Sequence, residues 1–309
     1  MSIIITGGTG LVGKYLQSYL DGIYLSSKDF NLTQESEVIR MFETYKPKTI
    51  IHLAARVGGI LENINKPFEY FEDNVLMNTY LLKYSRKYNV EKFVGTLSSC
   101  IYPDVSDHYP LLEEDLHKNL PNENNYGYGY AKRLMGVQID IFKKMGYNYS
   151  YIIPNNLYGE YESGDISAKH FIGALLEKIK NANQNNDNKI SLFGDGTPLR
   201  QFTFADDIAK VLKLIIDKDI NENFNVGIKE NLSINDIANL ALQATNSSHL
   251  KVEYDSTKPN GQFRKDISME KFNSILPEFQ FTSYLKGISK TYNTISKQNT
   301  IIDPYLQTR

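Results

Sequence analysis

The sequence predicts an α/β fold: a doubly wound, Rossmann-type parallel sheet with a smaller mixed α/β region after it. Three observations carry this. Short apolar runs alternate with helical patterns over the first half, a glycine-rich turn joins the first run to the first helix, and the alternation breaks near residue 155. Ile3-Ile4-Ile5 reads as the first strand, and Leu11 to Leu20 as a helix with Leu11, Val12, Leu16 and Leu20 apolar. Ile23-Tyr24-Leu25 reads as a second strand, Gln34 to Tyr45 as a helix, Thr49 to Leu53 as a third strand and Phe68 to Tyr88 as a long helix. Lys92 to Leu97 gives a fourth strand ending at Ser98, and a helix containing Tyr128 to Met145 precedes a fifth, Tyr149 to Ile153. Ligands on such sheets bind at the carboxyl ends of the strands, where Thr6, Leu53 and Ser98 fall.

Past residue 155 the pattern yields helices near 168–181, 205–217 and 233–244, separated by short strand-like runs. The asparagine-rich stretch Lys180 to Lys189 reads as a surface loop. The expected division is a cofactor-binding domain over 1–155, with later segments crossing back to its sheet, a substrate region over 156–296 and a mobile tail over 297–309.

With 309 residues and a formal net charge of −2, the chain can bury a large core and has no electrostatic case for nucleic acid or an anionic membrane. Its single cysteine excludes an internal disulfide, which suits a reducing cytoplasm. The opening Met-Ser-Ile-Ile-Ile-Thr reads as a strand and not a secretion signal, and no apolar run approaches membrane-spanning length. No metal site is expected.

Thr6-Gly7-Gly8-Thr9-Gly10-Leu11-Val12-Gly13 lies between the first strand and helix. Gly7 and Gly10 let the backbone turn and approach a pyrophosphate, Gly13 allows close helix–sheet packing, and the helix start at Leu11 and Val12 offers amide N–H groups. The G-x-x-G-x-x-G spacing resembles extended short-chain dehydrogenase/reductases. The second strand ends Leu25-Ser26-Ser27-Lys28, with no carboxylate before Asp29. Ser27 and Lys28 suit a 2′-phosphate, so NADP is expected over NAD.

Tyr128 and Lys132, four apart on a predicted helix, share a face. An ammonium near the phenol favours its ionised form, and Ser98 is placed to hydrogen-bond a substrate carbonyl that Tyr128 protonates. Of Tyr126, Tyr128 and Tyr130, only Tyr128 has a lysine four residues on.

Ser98-Ser99-Cys100-Ile101-Tyr102-Pro103 resembles a segment of the GDP-L-fucose synthase family, the GDP-4-keto-6-deoxy-mannose 3,5-epimerase-4-reductases. Further landmarks are the run from Ala54-Ala55 to Ile60, Asn155 to Gly159, Gly194 to Arg200, and Ser256 to Gly261 leading into Arg264-Lys265. The resemblance covers nearly the whole chain. It implies that Ala54 and Ala55 adjoin the cofactor and that Lys132 also holds the nicotinamide ribose. It further implies that Cys100 and His170 move the protons of epimerisation, that Lys178, Arg200 and Lys265 hold the nucleotide diphosphate, and that Asn156 contacts the nucleotide sugar. A C4 ketone acidifies the hydrogens on C3 and C5, and inversion needs two proton-handling groups on opposite faces of the ring. The family is often dimeric through two long helices, here those at 68–88 and 126–146.

Departures from the family are the short segment after Ser163, Gly173 where proline is frequent, and the glycines and tyrosines of Gly127-Tyr128-Gly129-Tyr130. The alternatives are a C4 reductase acting on another GDP-4-keto sugar, such as a 6-deoxy-heptose, with a separate epimerase, then a nucleotide-sugar 4-epimerase or dehydratase, and a non-catalytic NADP-binding regulator.

Overall fold

A computed structural model describes residues 2–162, 169–258 and 260–297. In chain order the first half forms β1 (Ile3–Thr6), α1 (Leu11–Leu16), β2 (Ile23–Leu25), α2 (Glu35–Tyr45), β3 (Thr49–His52), α3 (Ile60–Asn65), α4 (Pro67–Lys87), β4 (Lys92–Thr96), α5 (Tyr126–Lys144) and β5 (Asn148–Pro154). The second half adds β6 (Asn156–Tyr158), α6 (Phe171–Asn185), β7 (Lys189–Phe193), β8 (Leu199–Arg200), β9 (Phe202–Phe204), α7 (Ala205–Asp217), β10 (Phe224–Val226), β11 (Leu232–Ser233), α8 (Ile234–Ala244), β12 (Lys251–Asp255), α9 (Glu270–Ile275) and α10 (Tyr284–Lys297).

Six strands form one parallel sheet in the order β10-β5-β4-β3-β1-β2, so the chain reverses direction across the sheet between β1 and β3. Alternation of side chains divides its faces. Ile5, Ile51, Val94 and Ile152 join the apolar layer under α1, α6, α7, α8 and α10, while Ile4, Ile50, Phe93 and Ile153 join that under α2, α4 and α5. Both faces are covered, which is why these strands read as unbroken apolar runs. β10 brings residues 224–226 back beside β5, and three two-stranded sheets, β7–β12, β6–β9 and β8–β11, lie outside the main one.

Several expectations need correction. Lys180 to Lys189 is not a loop, because α6 continues to Asn185 and Lys180 is buried. Asparagine is a poor helix former, but burial of Ile179 and Ala182 on the inner face overrides that preference, and Asn186 in the left-handed conformation ends the helix. Regular α1 stops at Leu16, although Leu20 is still buried. Past residue 244, α9 and α10 had no counterpart in the sequence reading. In α10, Tyr284, Ile288, Thr291 and Ile295 repeat every three or four residues on the buried side. The segment after Ser163 and the tail from residue 298 lie outside the described residues.

At the switch point between β1 and β3, His52 is fully buried. Its Nδ1 lies 2.7 Å from Thr6 Oγ1 and its Nε2 2.9 Å from Asn78 Oδ1. Asn78 Nδ2 donates to the Ala131 carbonyl at 3.4 Å, so its Oδ1 faces the ring and Nε2 is the donor. Nδ1 then accepts from Thr6. Burial, with the charge of Lys132 second, pushes His52 down to about 3.

Unfolded, this imidazole takes a proton near pH 6.5, while the fold refuses it until about 3, so stability declines as pH falls through the unfolded value. The contribution of His52 to stability in urea unfolding is expected to fall by about 1 kcal/mol between about pH 7.5 and about pH 5.5. That loss should be absent in His52→Gln, measured against the wild-type curve.

Candidate active site

The turn after β1 closes through the Gly10 N–H, which donates to the Gly7 carbonyl at 2.9 Å, and is tied to β2 by the Gly8 N–H on Leu25 O at 2.9 Å. Gly7 has φ +70°, and a Cβ on it would stand 2.6 Å from the Ala54 amide nitrogen. Only a glycine allows the turn to lie so close to the end of β3. On Gly10 a Cβ would meet only Gly7 O, at 3.1 Å, which leaves the outer side of the turn open. This open backbone cradle beside the first turn of α1 fits a dinucleotide pyrophosphate. Val12 lies in the core, so only its backbone is available, and Leu11 packs partly buried against the same layer.

Ser27 and Lys28 are exposed just beyond β2. Asp29 is folded back: its Oδ2 accepts from the Ser26 N–H at 2.8 Å and Ser26 Oγ at 2.7 Å, contacts that lower its pKa. Arg40 of α2, which the sequence reading missed, donates to the Asp29 carbonyl at 3.0 Å and stacks on Phe30. A lysine, an arginine and a hydroxyl thus stand at the turn where a 2′-phosphate is expected.

Ser98 follows β4 and accepts the Cys100 N–H at 3.3 Å, capping a single 3₁₀ turn over Ser99–Ile101. Ser98 also acts on the Tyr128 phenol and on the Cys100 thiol, lowering the pKa of each. Two close backbone approaches seat Tyr128. A Cβ on Gly127 would lie 2.1 Å from Pro67 O of α4, and one on Gly129 2.9 Å from Cys100 O. These glycines therefore press α5 against α4 and the Cys100 turn rather than loosening the site.

Lys132 shares a face of α5 with Tyr128, as the spacing predicts, but its ammonium is anchored on the backbone. Its Nζ donates to Thr96 O at 2.7 Å and lies 6.0 Å from the Tyr128 ring centroid, not on the phenol oxygen. Burial pushes the ammonium down to about 7. Tyr128 is held well above its ordinary value, by burial first and the neighbouring Cys100 second, with Ser98 opposing. The phenol is therefore held as the protonated acid, which is the form needed to give up a proton.

Lys265 Nζ stands 3.5 Å from Cys100 Sγ, and Asn125 Nδ2, also missed from sequence, stands 3.9 Å from it. Burial raises the thiol pKa, but Lys265, Ser98 and Arg200 outweigh it and bring the thiol below its ordinary value. Arg200 donates to Leu199 O at 2.7 Å. His170 N-caps α6 and retains exposed surface, and its pKa is lowered by burial and then by Lys265. Lys265 and Arg200 thus both act on Cys100, and Lys265 acts in turn on His170. Two predicted substrate residues are otherwise engaged: Lys178 donates to Ser191 O at 2.7 Å over the Phe193 ring, and Asn156 donates to Gln201 O at 3.0 Å.

Glu162 escaped the sequence reading. Its Oε1 accepts the His170 N–H at 2.6 Å, and its Oε2 stands where a Cβ on Gly173 would come within 2.1 Å. Gly173, noted only as a departure, makes room for this carboxyl. Burial pushes Glu162 up to about 7 against the pull of the His170 N–H and Lys169.

A glycine cradle at the switch point of a parallel sheet and a Ser–Tyr–Lys set beside it define the class of α/β dinucleotide-dependent oxidoreductases. Residues 3–227 match the model of the NAD dependent epimerase/dehydratase family, and the chain belongs to that family. It is similar to a GDP-L-fucose synthase of Dictyostelium discoideum, 32% identical over 302 residues, covering 94% of this chain and 93% of that protein. A GDP-L-colitose synthase of Yersinia pseudotuberculosis is 31% identical over 303 residues, covering 94% and 96%. Among solved structures, a GDP-L-fucose synthetase of Naegleria fowleri bound to NADP aligns with a TM-score of 0.86 and 32% identity, over 95% of this chain and 92% of that one. No helix among the described residues is long and apolar enough to cross a membrane.

Unfolded, Lys132 keeps its proton to about 10.5; in the fold it gives it up near 7. Between these values unfolding takes up a proton, so the buried lysine lowers stability most at the acid end and least as pH rises through the unfolded value. Lys132→Met is therefore expected to raise the Tm of the cofactor-free protein at about pH 6, with the gain shrinking toward about pH 10 in calorimetry.

Proposed function

We propose that this protein is an NADPH-dependent reductase of the C4 ketone of a GDP-4-keto-6-deoxy sugar, and that it also epimerises C3 and C5. The observation that carries the reading is that the Ser98–Cys100 turn packs directly on the helix of Tyr128, where a Cβ on Gly129 would lie 2.9 Å from Cys100 O, and that Ser98 acts on both the phenol and the thiol, so the groups for both chemistries share one neighbourhood. The relatives named GDP-L-fucose synthase, and the one solved with NADP, support it.

Gly7, Gly10, Leu11, Val12 and Gly13 would hold the cofactor's pyrophosphate, beside Ala54 and Ala55, and Ser27 and Lys28 would hold a 2′-phosphate. NADPH bound there would supply hydride to C4. Ser98 hydrogen-bonds the C4 oxygen and Tyr128 delivers its proton to it. Lys132, anchored on Thr96 O, holds the nicotinamide ribose. Cys100 and His170 remove and return protons at C3 and C5, and Lys265, Ser98 and Arg200 bring the thiol below its ordinary value, which favours the ionised form. Arg200, Lys265 and Lys178 hold the diphosphate and Asn156 the nucleotide sugar, within a substrate region spanning 156–296.

The protein acts as a homodimer in the reducing cytoplasm. Phe68 and Phe71 on α4, and Tyr126, Leu134, Ile141 and Met145 on α5, are large exposed apolar side chains on one packed helix pair.

Tyr128→Phe should lower reduction by about 10²–10⁴-fold while sparing NADPH binding; full turnover would displace Tyr128 as the acid. In deuterated water the product should carry deuterium at C3 and C5, and Cys100→Ser should lose that label. Reduction without any label in the wild type would leave a C4 reductase served by a separate epimerase. Light scattering should give a dimer that Ile141→Asp splits into monomers, and a monomeric wild type would refute the interface.

A further inference from the structure

Lys265 reaches Cys100 across 165 positions of chain, and its Nζ lies 3.5 Å from Sγ. The other groups acting on the sulfur come from separate elements: Ser98 at the end of β4, Arg200 on β8, Asn125 just ahead of α5 and Tyr128 within it. His170, at the start of α6, faces the same lysine. Arg200 is engaged by the Leu199 carbonyl at 2.7 Å and the Phe263 carbonyl at 3.4 Å. Lysine, by contrast, is a compact charge on a flexible four-carbon stem and can change partners.

We propose that Lys265 is shared between two anions: it pairs with the Cys100 thiolate in the free protein and passes to the substrate's diphosphate on binding, so that substrate capture releases a stronger base. The inference rests on the reading that a nucleoside diphosphate binds beside Lys265. A thiol bordered only by burial would be mostly protonated near neutral pH, and thus no base at all. A thiolate held by an ammonium is ionised but weakly basic, since basicity falls with pKa. Pairing first and releasing later resolves the conflict. The proton leaves the thiol for solvent before substrate arrives, and the part-buried anion loses its counter-ion when the ring to be deprotonated is in place.

Such sharing is a linkage between two sites and must be reciprocal. Nucleotide binding should raise the thiol pKa, and thiol ionisation should weaken nucleotide binding.

Because the chain has one cysteine, iodoacetamide trapping read by mass spectrometry reports Cys100 alone. The midpoint of its pH profile gives the thiol pKa however far a ligand shields the sulfur. Saturating GDP is expected to move that midpoint up by about one unit or more, equivalent to tenfold in ionisation. Lys265→Met should show the raised midpoint without GDP and no further shift with it. Calorimetric GDP affinity in the wild type should fall several-fold more across the thiol titration than in Cys100→Ser, a comparison that does not depend on the Lys265 variant folding. GDP that binds the wild type without moving the midpoint overturns the shared lysine and leaves the proposed function standing. Failure of GDP to bind at all overturns both.

Discussion

The imidazole of His52 sits at the carboxyl end of β3, with one ring nitrogen on Thr6 of β1 and the other on Asn78 of α4. Asn78 continues to the carbonyl of Ala131, the residue before Lys132. One neutral side chain thus joins the two strands flanking the switch point, the helix behind them and the helix carrying the Tyr128–Lys132 pair. Because the ring is buried and held uncharged, each nitrogen has one role, donor or acceptor, and the chain of contacts has one arrangement. The glycine turn, the end of β3 and α5 are held in register by it.

On that frame, burial does most of the electrostatic tuning. It lowers Lys132, raises Tyr128 and lifts Glu162, each away from its ordinary value. Cys100 is the exception: burial acts against its ionisation, and only the convergence of Lys265, Ser98 and Arg200 reverses the result. The four groups are set by different balances, a pattern of divergent pKa values found where acids and bases must coexist.

The parts legible in the sequence were those governed by short-range rules. The apolar run Ile3 to Ile5, the turn from Thr6 to Gly13, and the four-residue step from Tyr128 to Lys132 each lie within one element or one loop. Misreadings arose where tertiary burial overrode local preference. The asparagines near the end of α6 stay helical because Ile179 and Ala182 are buried beneath them, and α10 went unseen although its apolar repeat was present.

By itself, then, the sequence determined a parallel sheet with a dinucleotide turn and placed Ser98, Tyr128 and Lys132 at strand and helix positions suited to reduction. Only the tertiary structure decided what those groups touch. It turned Lys132 onto Thr96 O, set Glu162 into the space left by Gly173 behind His170, and brought Lys265 to Cys100. The physical reason is one of range: backbone periodicity and turn chemistry act over a few residues, whereas burial and charge pairing depend on segments that meet only after the sheet has formed.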